Sequence, residues 1–185
     1  DQGVDGMSFA LNPRGVLAMQ LPAYEEIVQK IYFKKVDGTW FAEKCVIEKL
    51  PDNLELDYRT MVETLKDYVS KTGFKRVLLG LSGGIDSALV AAIAVDALGS
   101  KNVRCVMLPS EFTSKQSLDD ARSIAKNLDC VLNTVPISEA KNAVNKSLSE
   151  IFKGLRSDVT EENIQSRIRG LLLMAMSNKF GEMLL

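Results

Sequence analysis

The stretch 78-LLGLSGGIDSALVAA-92 decides the fold. An apolar run ends in Ser82-Gly83-Gly84. A carboxylate follows at Asp86 and a hydroxyl at Ser87, and the chain continues as an Ala-rich segment. A short apolar run closed by glycines reads as a buried strand, and the change of period after it reads as a helix stopped by Gly99. In an open α/β sheet, ligands gather beyond the carboxyl ends of the strands, where a helix N-terminus offers unpaired N–H groups and partial positive charge. Gly83 and Gly84 let the backbone approach an anion closely and are expected to take positive φ, while Ser82 and Ser87 supply hydroxyl donors. The stretch therefore reads as a phosphate loop. It lacks the Gly-Lys-Ser/Thr of the P-loop and does not fit GxGxxG. Asp86 would repel a bare phosphate, so in this reading it holds Mg²⁺ against one. The competing reading is a glycine-rich βα turn in which Asp86 complements the helix start and Ser82 caps it.

Outward from this stretch the pattern repeats. Strands are expected at 76-RVLLGL-81, 103-VRCVML-108 and 130-CVLNTV-135. Between and after them come helical stripes: Asp86 to Leu98, then Leu118, Ala121, Ala125 and Leu128, then Ala140, Val144, Leu148 and Ile151. A last helix is expected from about Thr160 to Lys179, with Ile164, Ile168, Leu171, Leu172 and Ala175 inward, before 181-GEMLL-185 starts another strand. Short apolar strands alternating with helices make a parallel sheet covered on both faces. Upstream, Met61, Leu65, Tyr68 and Val69 form a stripe that starts at the N-cap candidate Asp57 and closes at Gly73. The polar run 51-PDNLELD-57 reads as a linker.

The first fifty residues look all-β. One hairpin is expected around Asn12-Pro13-Arg14-Gly15 and a second around Asp37-Gly38. Two hairpins do not make a stable domain alone, so they read as the end of a larger one. With a strand just begun at the other end, the chain is expected to be a fragment cut on both sides.

Composition narrows the chemistry. The chain has 185 residues, 46% of them hydrophobic and 25% charged, with a net charge of −1. That describes a soluble globular protein without the basic excess that would argue for nucleic acid. No apolar run is long enough to span a membrane, and no secretory leader is read at the start. Cys45, Cys105 and Cys130 are odd in number and widely spaced, which fits free thiols in a reducing cytoplasm better than disulfides or zinc. Histidine is absent, so Ser-His-Asp and Cys-His nucleophile arrangements are excluded.

Ser82-Gly83-Gly84-Ile85-Asp86-Ser87 resembles the SGGxDS signature of the ATP pyrophosphatases, which cleave ATP between the α- and β-phosphates and adenylate an acceptor. The blocks 107-MLPSEFTSKQSLDDA-121 and 158-DVTEENIQSRIRGLLLMAMSNKFG-181 resemble the NAD synthetase branch of that family, in its glutamine-dependent form. The segment 5-DGMSFALNPRGVLAMQLPAYEE-26 is similar to the end of the nitrilase-like glutaminase domain fused in front of that synthetase.

The resemblance implies an α/β fold: a parallel-sheet, adenine nucleotide alpha hydrolase-like domain preceded by β-hairpins from the end of a nitrilase-like domain. The expected division is 1–50 for the nitrilase-like tail, 51–57 for the linker and 58–185 for the first half of the synthetase domain. It also implies a ligation in which the deamido-NAD⁺ carboxylate attacks the α-phosphate of ATP, and ammonia derived from glutamine then displaces AMP. Carried over, Gly80, Leu81, Ser82, Gly83, Gly84, Ile85, Asp86 and Ser87 bind ATP, Asp86 is a Mg²⁺ ligand, and Met107 lies near adenine. Asn163 and Arg167 face deamido-NAD⁺. Their i,i+4 spacing puts them on one stripe, although without the resemblance Arg167 and Arg169 read as a solvated face and Asn163 as a helix-start residue. A homo-oligomer without nucleic-acid or membrane partners is expected. The family's Thr-Thr-x-Asn-Lys-Ser-Glu block and the catalytic Cys, Glu and Lys of the glutaminase are not in this sequence, so no catalytic residue is assigned and the fragment by itself is expected to be inactive. The alternatives are another ATP pyrophosphatase, of the GMP-forming or tRNA-thiolating kind, or a non-catalytic nucleotide-binding module of the same fold.

Overall fold

The computed structural model describes residues 5–185; residues 1–4 of the expected nitrilase-like segment lie outside the described residues. The chain folds as two compact units, the first running to Thr64 and the second from Leu65 to Leu185.

In the first unit both expected hairpins form. Strands β1 (Phe9–Asn12) and β2 (Val16–Gln20) pair antiparallel with a register shift between Ala10 and Leu11. Strands β3 (Phe33–Val36) and β4 (Thr39–Ala42) pair around Asp37 and Gly38, whose φ values of 48° and 82° are the paired positive angles of a type I′ turn. Asn12 ties the hairpins together: its Nδ2 donates to the Ala42 carbonyl at 3.1 Å and its Oδ1 accepts from the Ala42 N–H at 2.6 Å.

The stretch expected as a linker is mostly helical. Helix α1 spans Asn53–Thr72, and Asp52 accepts from the Glu55 N–H at 2.9 Å, so Asp52 caps the start and Asp57 lies inside the helix. The Glu55–Arg59 ion pair, at i,i+4 and 2.6 Å, lies across the first turns and extends the helix below the apolar stripe. Of that stripe, Val69 is buried and Leu65 packs on the core, while Met61 and Tyr68 are exposed.

The second unit is built on four parallel strands: β5 (Val77–Gly80), β6 (Val103–Met107), β7 (Val131–Thr134) and β8 (Met183–Leu184), in the order β7-β6-β5-β8. Helices α2 (Ile85–Leu98) and α3 (Lys115–Asn127) connect the first three strands. Helices α4 (Ser138–Leu148) and α5 (Val159–Phe180) carry the chain back to the other side of β5. The strand order therefore reverses at β5, which makes the end of β5 the topological switch point of the sheet.

The two faces of this sheet differ. Val77, Leu79, Val103, Cys105 and Met107 form one apolar cluster with Val69 of α1, Ala91 and Ala94 of α2, and Ala121 and Ala125 of α3. Alanines on the helix faces let the backbones come close. The opposite face lies under α5, where Leu173 Cδ1 would stand 3.3 Å from a Cβ on Gly80. Here Arg104 reaches across β5 to the buried Glu182 through two parallel bonds, Nε–Oε2 at 2.7 Å and Nη2–Oε1 at 2.9 Å. Its Nη1 donates to Asn133 Oδ1 at 2.9 Å, and the guanidinium stacks 4.6 Å from the Phe180 ring centroid. The bond to Glu182 holds the guanidinium above its usual pKa. Three strands are thus fastened by side chains as well as by backbone.

Three inward assignments on the later helices are corrected. Leu171 and Ala175 are exposed, because α5 turns Ile164, Ile168, Leu172 and Leu173 toward the protein instead. Ile151 falls beyond the end of α4, in a turn, and is 74% exposed. The cysteines are free thiols; burial pushes Cys105 up to about 12, and its Sγ lies 3.4 Å from that of Cys130.

Candidate functional site

The loop after β5 is braced by its own serines. Ser82 N–H donates to Ser87 Oγ at 3.2 Å, Gly84 N–H donates to Ser82 Oγ at 3.2 Å, and Ser87 Oγ–H donates to the Gly84 carbonyl at 3.0 Å. The two hydroxyl oxygens are 3.1 Å apart, so the Ser82 hydrogen points at Ser87. Both hydroxyl hydrogens are engaged inside the loop, where the sequence suggested donors to a ligand. The donors left over are backbone: a helix has no internal partners for its first N–H groups, and α2 starts at Ile85.

The paired glycines do different jobs. Gly83 has φ +85°, and a Cβ there would lie 2.3 Å from the Ser117 carbonyl oxygen in the first turn of α3. Only glycine fits, on both counts. Gly84 has an ordinary extended conformation, φ −81° and ψ 159°, as the N-cap of α2, against the expectation of positive φ. A Cβ there would meet only Ser82 Oγ, at 3.4 Å.

Asp86 is exposed on the first turn of α2 and is the one acidic residue there. Among the described residues no cluster of three or more His, Cys, Asp or Glu side chains could hold a metal. A single carboxylate at a phosphate loop suits Mg²⁺ that arrives with its phosphates and waters, which needs only one or two protein carboxylates.

Beside the loop lies a cavity of about 220 Å³, lined by Gly80, Leu81, Ser82, Val106, Leu108, Arg169 and Leu173. Met107 is buried in the apolar cluster on the other face, and its carbonyl accepts from Val135 N–H at 2.8 Å. What it can offer a ligand therefore comes through the turn that follows, Leu108-Pro109. That turn leads into a loop held by Glu111, whose carboxylate is paired with Lys141 and accepts from Ser138 Oγ at 3.5 Å. The hydrogen bond from Lys141 keeps the Glu111 pKa below its usual value.

Asn163 and Arg167 are exposed on α5, four residues apart, and do not line this cavity. Arg169 does, with its Nε donating to the Leu108 carbonyl at 3.1 Å. Without the resemblance Arg169 reads as part of a solvated face, and the resemblance assigns it no site role. The available signal was its place between the inward Ile168 and Leu173, at i−1 and i+4. Helix α5 is fixed in register by a capping box, Asp158 with Thr160 and Glu161, and closes on Gly181 in the left-handed conformation.

A family model described as NAD synthase matches residues 57–185. A glutamine-dependent NAD(+) synthetase of Rhodobacter capsulatus is 56% identical over 185 residues, which is all of this chain and 34% of that protein. One from Thermotoga maritima is 48% identical over 140 residues, 76% of this chain and 24% of its own length. The chain thus spans about a quarter to a third of these relatives. The structure of a glutamine-dependent NAD⁺ synthetase from Acinetobacter baumannii in complex with ADP superposes with a TM-score of 0.91 at 38% identity, over 97% of this chain and 34% of that one. An NH3-dependent NAD synthetase from Campylobacter jejuni gives a TM-score of 0.64 at 28% identity, over 72% of this chain and 56% of that one.

Proposed function

This chain belongs to the NAD synthase family, and from that premise we propose that it forms part of a ligase that amidates deamido-NAD⁺ to NAD⁺ at the expense of ATP. The observation that carries the reading is the loop Ser82–Ser87, braced by its own hydroxyls at the switch point of the sheet, with the free N–H groups of α2 behind it. The glutamine-dependent relatives, matched over the whole chain, support glutamine as the source of ammonia. The family model over 57–185 supports assigning 58–185 to the first half of the synthetase domain, and in this reading residues 1–50 are the end of a nitrilase-like domain.

In this reading Gly80 to Ser87 hold the phosphates of ATP, and the turn after Met107 borders the adenine. The loop accepts negative charge through backbone dipoles already in place, which is how a chain without histidine stabilises adenylyl transfer. Asp86 would hold Mg²⁺, which when bound neutralises phosphate charge and orients the leaving pyrophosphate. Asn163 and Arg167 present an amide and a guanidinium on one stripe of α5 to deamido-NAD⁺. The free thiols suit a reducing compartment such as the cytoplasm.

The test is pyrophosphate release by the whole gene product with deamido-NAD⁺ and ammonia as acceptors. Asp86→Ala is expected to abolish turnover and its Mg²⁺ dependence with the fold intact. Unchanged rate and unchanged Mg²⁺ dependence would refute the role of Asp86. ATP binding without acceptor-dependent turnover would favour the non-catalytic module.

A further inference from the structure

The molecule holds two partly buried arginines on the α5 side of its sheet, and they are partnered differently. Arg104 meets a buried carboxylate with two bonds and an amide with a third. Arg169 has no acidic partner among the described residues. Its one hydrogen bond there is from Nε to the Leu108 carbonyl, which is neutral. A guanidinium withdrawn from water without a counter-charge is unfavourable, and the two nitrogens beyond Nε carry four more N–H donors.

Its position says what is missing. β5 and β8 are parallel and α5 leads directly into β8, so α5 runs opposite to the strands. Its earlier turns therefore lie toward the carboxyl ends of the strands. Leu173 packs against Gly80 near the end of β5, and Arg169, one turn earlier, stands above it toward the loop. Arg169 and Ser82 line the same cavity. The floor is apolar (Val106, Leu108, Leu173), so the charge sits at the rim beside the phosphate loop. At about 220 Å³ the cavity falls below the roughly 300–1,000 Å³ of a whole small-molecule site, so the rest of any nucleotide must lie over the loop.

We propose that Arg169 is a nucleotide-binding residue, its Nε fastened to Leu108 and its outer N–H pair donated to the α-phosphate, the phosphate nearest the nucleoside. The proposal rests on the reading of Ser82–Ser87 as an ATP loop and adds the cation that this loop lacks, since no basic residue stands in the first turn of α2. Held by one nitrogen, the guanidinium is pre-set and loses little freedom when it binds. Tying Nε to the end of β6 also links α5 to the turn that borders the base.

The experiment is a calorimetric titration of the whole gene product with ATP, AMP, adenosine and inorganic pyrophosphate, as wild type, Arg169→Gln and Arg169→Lys. In wild type AMP binds more tightly than adenosine. Arg169→Gln should weaken ATP and AMP by about tenfold or more, the worth of a charge-assisted hydrogen bond, and adenosine by less than about twofold. Arg169→Lys keeps the charge without the fork and should fall between. The deciding quantity is the ratio of adenosine to AMP dissociation constants. A residue that only supports Leu108 would weaken both ligands alike and leave this ratio unchanged, and that result overturns the proposal. Should Arg169→Gln fail to fold, the ratio in Arg169→Lys decides. A wild-type gene product that binds none of the four probes overturns the ATP-loop reading itself. ATP binding with an unaltered ratio in both variants removes Arg169 alone.

Discussion

The two faces of the parallel sheet divide the work of the protein. The face under α1, α2 and α3 is apolar throughout, with Val77, Leu79, Val103 and Cys105 at most 2% exposed. The face under α5 is polar at both ends: Arg104 and Glu182 near the start of β8, and Arg169 with its cavity at the carboxyl ends of β5 and β6. Dry packing is non-directional and holds the layers together. Polar groups are directional, so they define one arrangement of strands and one place for a ligand. A sheet with a face of each kind is held by the first and made specific by the second.

The largest effect is expected where the loop meets α3. Gly83→Ala puts a Cβ 2.3 Å from the Ser117 carbonyl oxygen at a φ of +85°, and neither backbone segment can give easily. Nucleotide affinity should drop by more than about a hundredfold, from strain of 1–3 kcal/mol plus the displaced donors. Retention of wild-type ATP affinity would show that the loop does not bind in this form.

Next comes the ion pair. Glu182→Ala leaves the Arg104 guanidinium against Phe180 with only Asn133 as a hydrogen-bond partner, and breaking such a buried pair from one side costs about 3 kcal/mol. Urea unfolding should show it as a lower midpoint with an unchanged slope. Replacing both partners by apolar residues should recover much of the loss. If the double variant is as unstable as the single one, the pair is not the reason for the instability of the single.

The Glu111–Lys141 contact gives a weaker, pH-dependent effect. Because the folded pKa of Glu111 is depressed, the stability it adds is present above the ordinary value of 4.5 and is lost as the pH falls through the lower folded value. Acid unfolding of Glu111→Gln should therefore differ from wild type above pH 4.5 and converge with it below. A constant offset down to the lowest pH would assign the effect to packing instead.

The smallest effect sharpens the contrast within the loop. Gly84→Ala has an allowed backbone and a nearest contact of 3.4 Å to Ser82 Oγ. Stability should change by less than about 0.5 kcal/mol, and ATP affinity by a few-fold at most, against the collapse expected one residue earlier. Equal losses at the two glycines would mean that a ligand, and not the fold, demands both.

The strands, helices and parallel sheet were legible in the sequence because each rests on a local period: 77–80, 103–107 and 131–134 as apolar runs, α2 and α3 as stripes between them. The place of the Ser82–Ser87 loop was legible for the same reason, since its residues are contiguous and its position after β5 follows from the order of elements. The start of α1 was misplaced because a cap at Asp52 and an ion pair at Glu55 and Arg59 are polar, and a reading by hydrophobic period does not register them.

Sequence alone therefore determined the fold class, the loop and the chemistry to expect there. Tertiary structure decided what depends on residues far apart in the chain. Gly83 is required because Ser117, thirty-four positions later, presses on it. Leu171 faces water while Leu173 faces Gly80 because the docking of α5 sets the phase of the run 171-LLLMAM-176, which is apolar on every side. Arg169 stands at the cavity and Arg104 in an ion pair because the sheet brings β5, β6 and β8 side by side. A charge in a sequence has no address; the carboxylate or the cavity that meets it is chosen by the packing of elements, which no local period records.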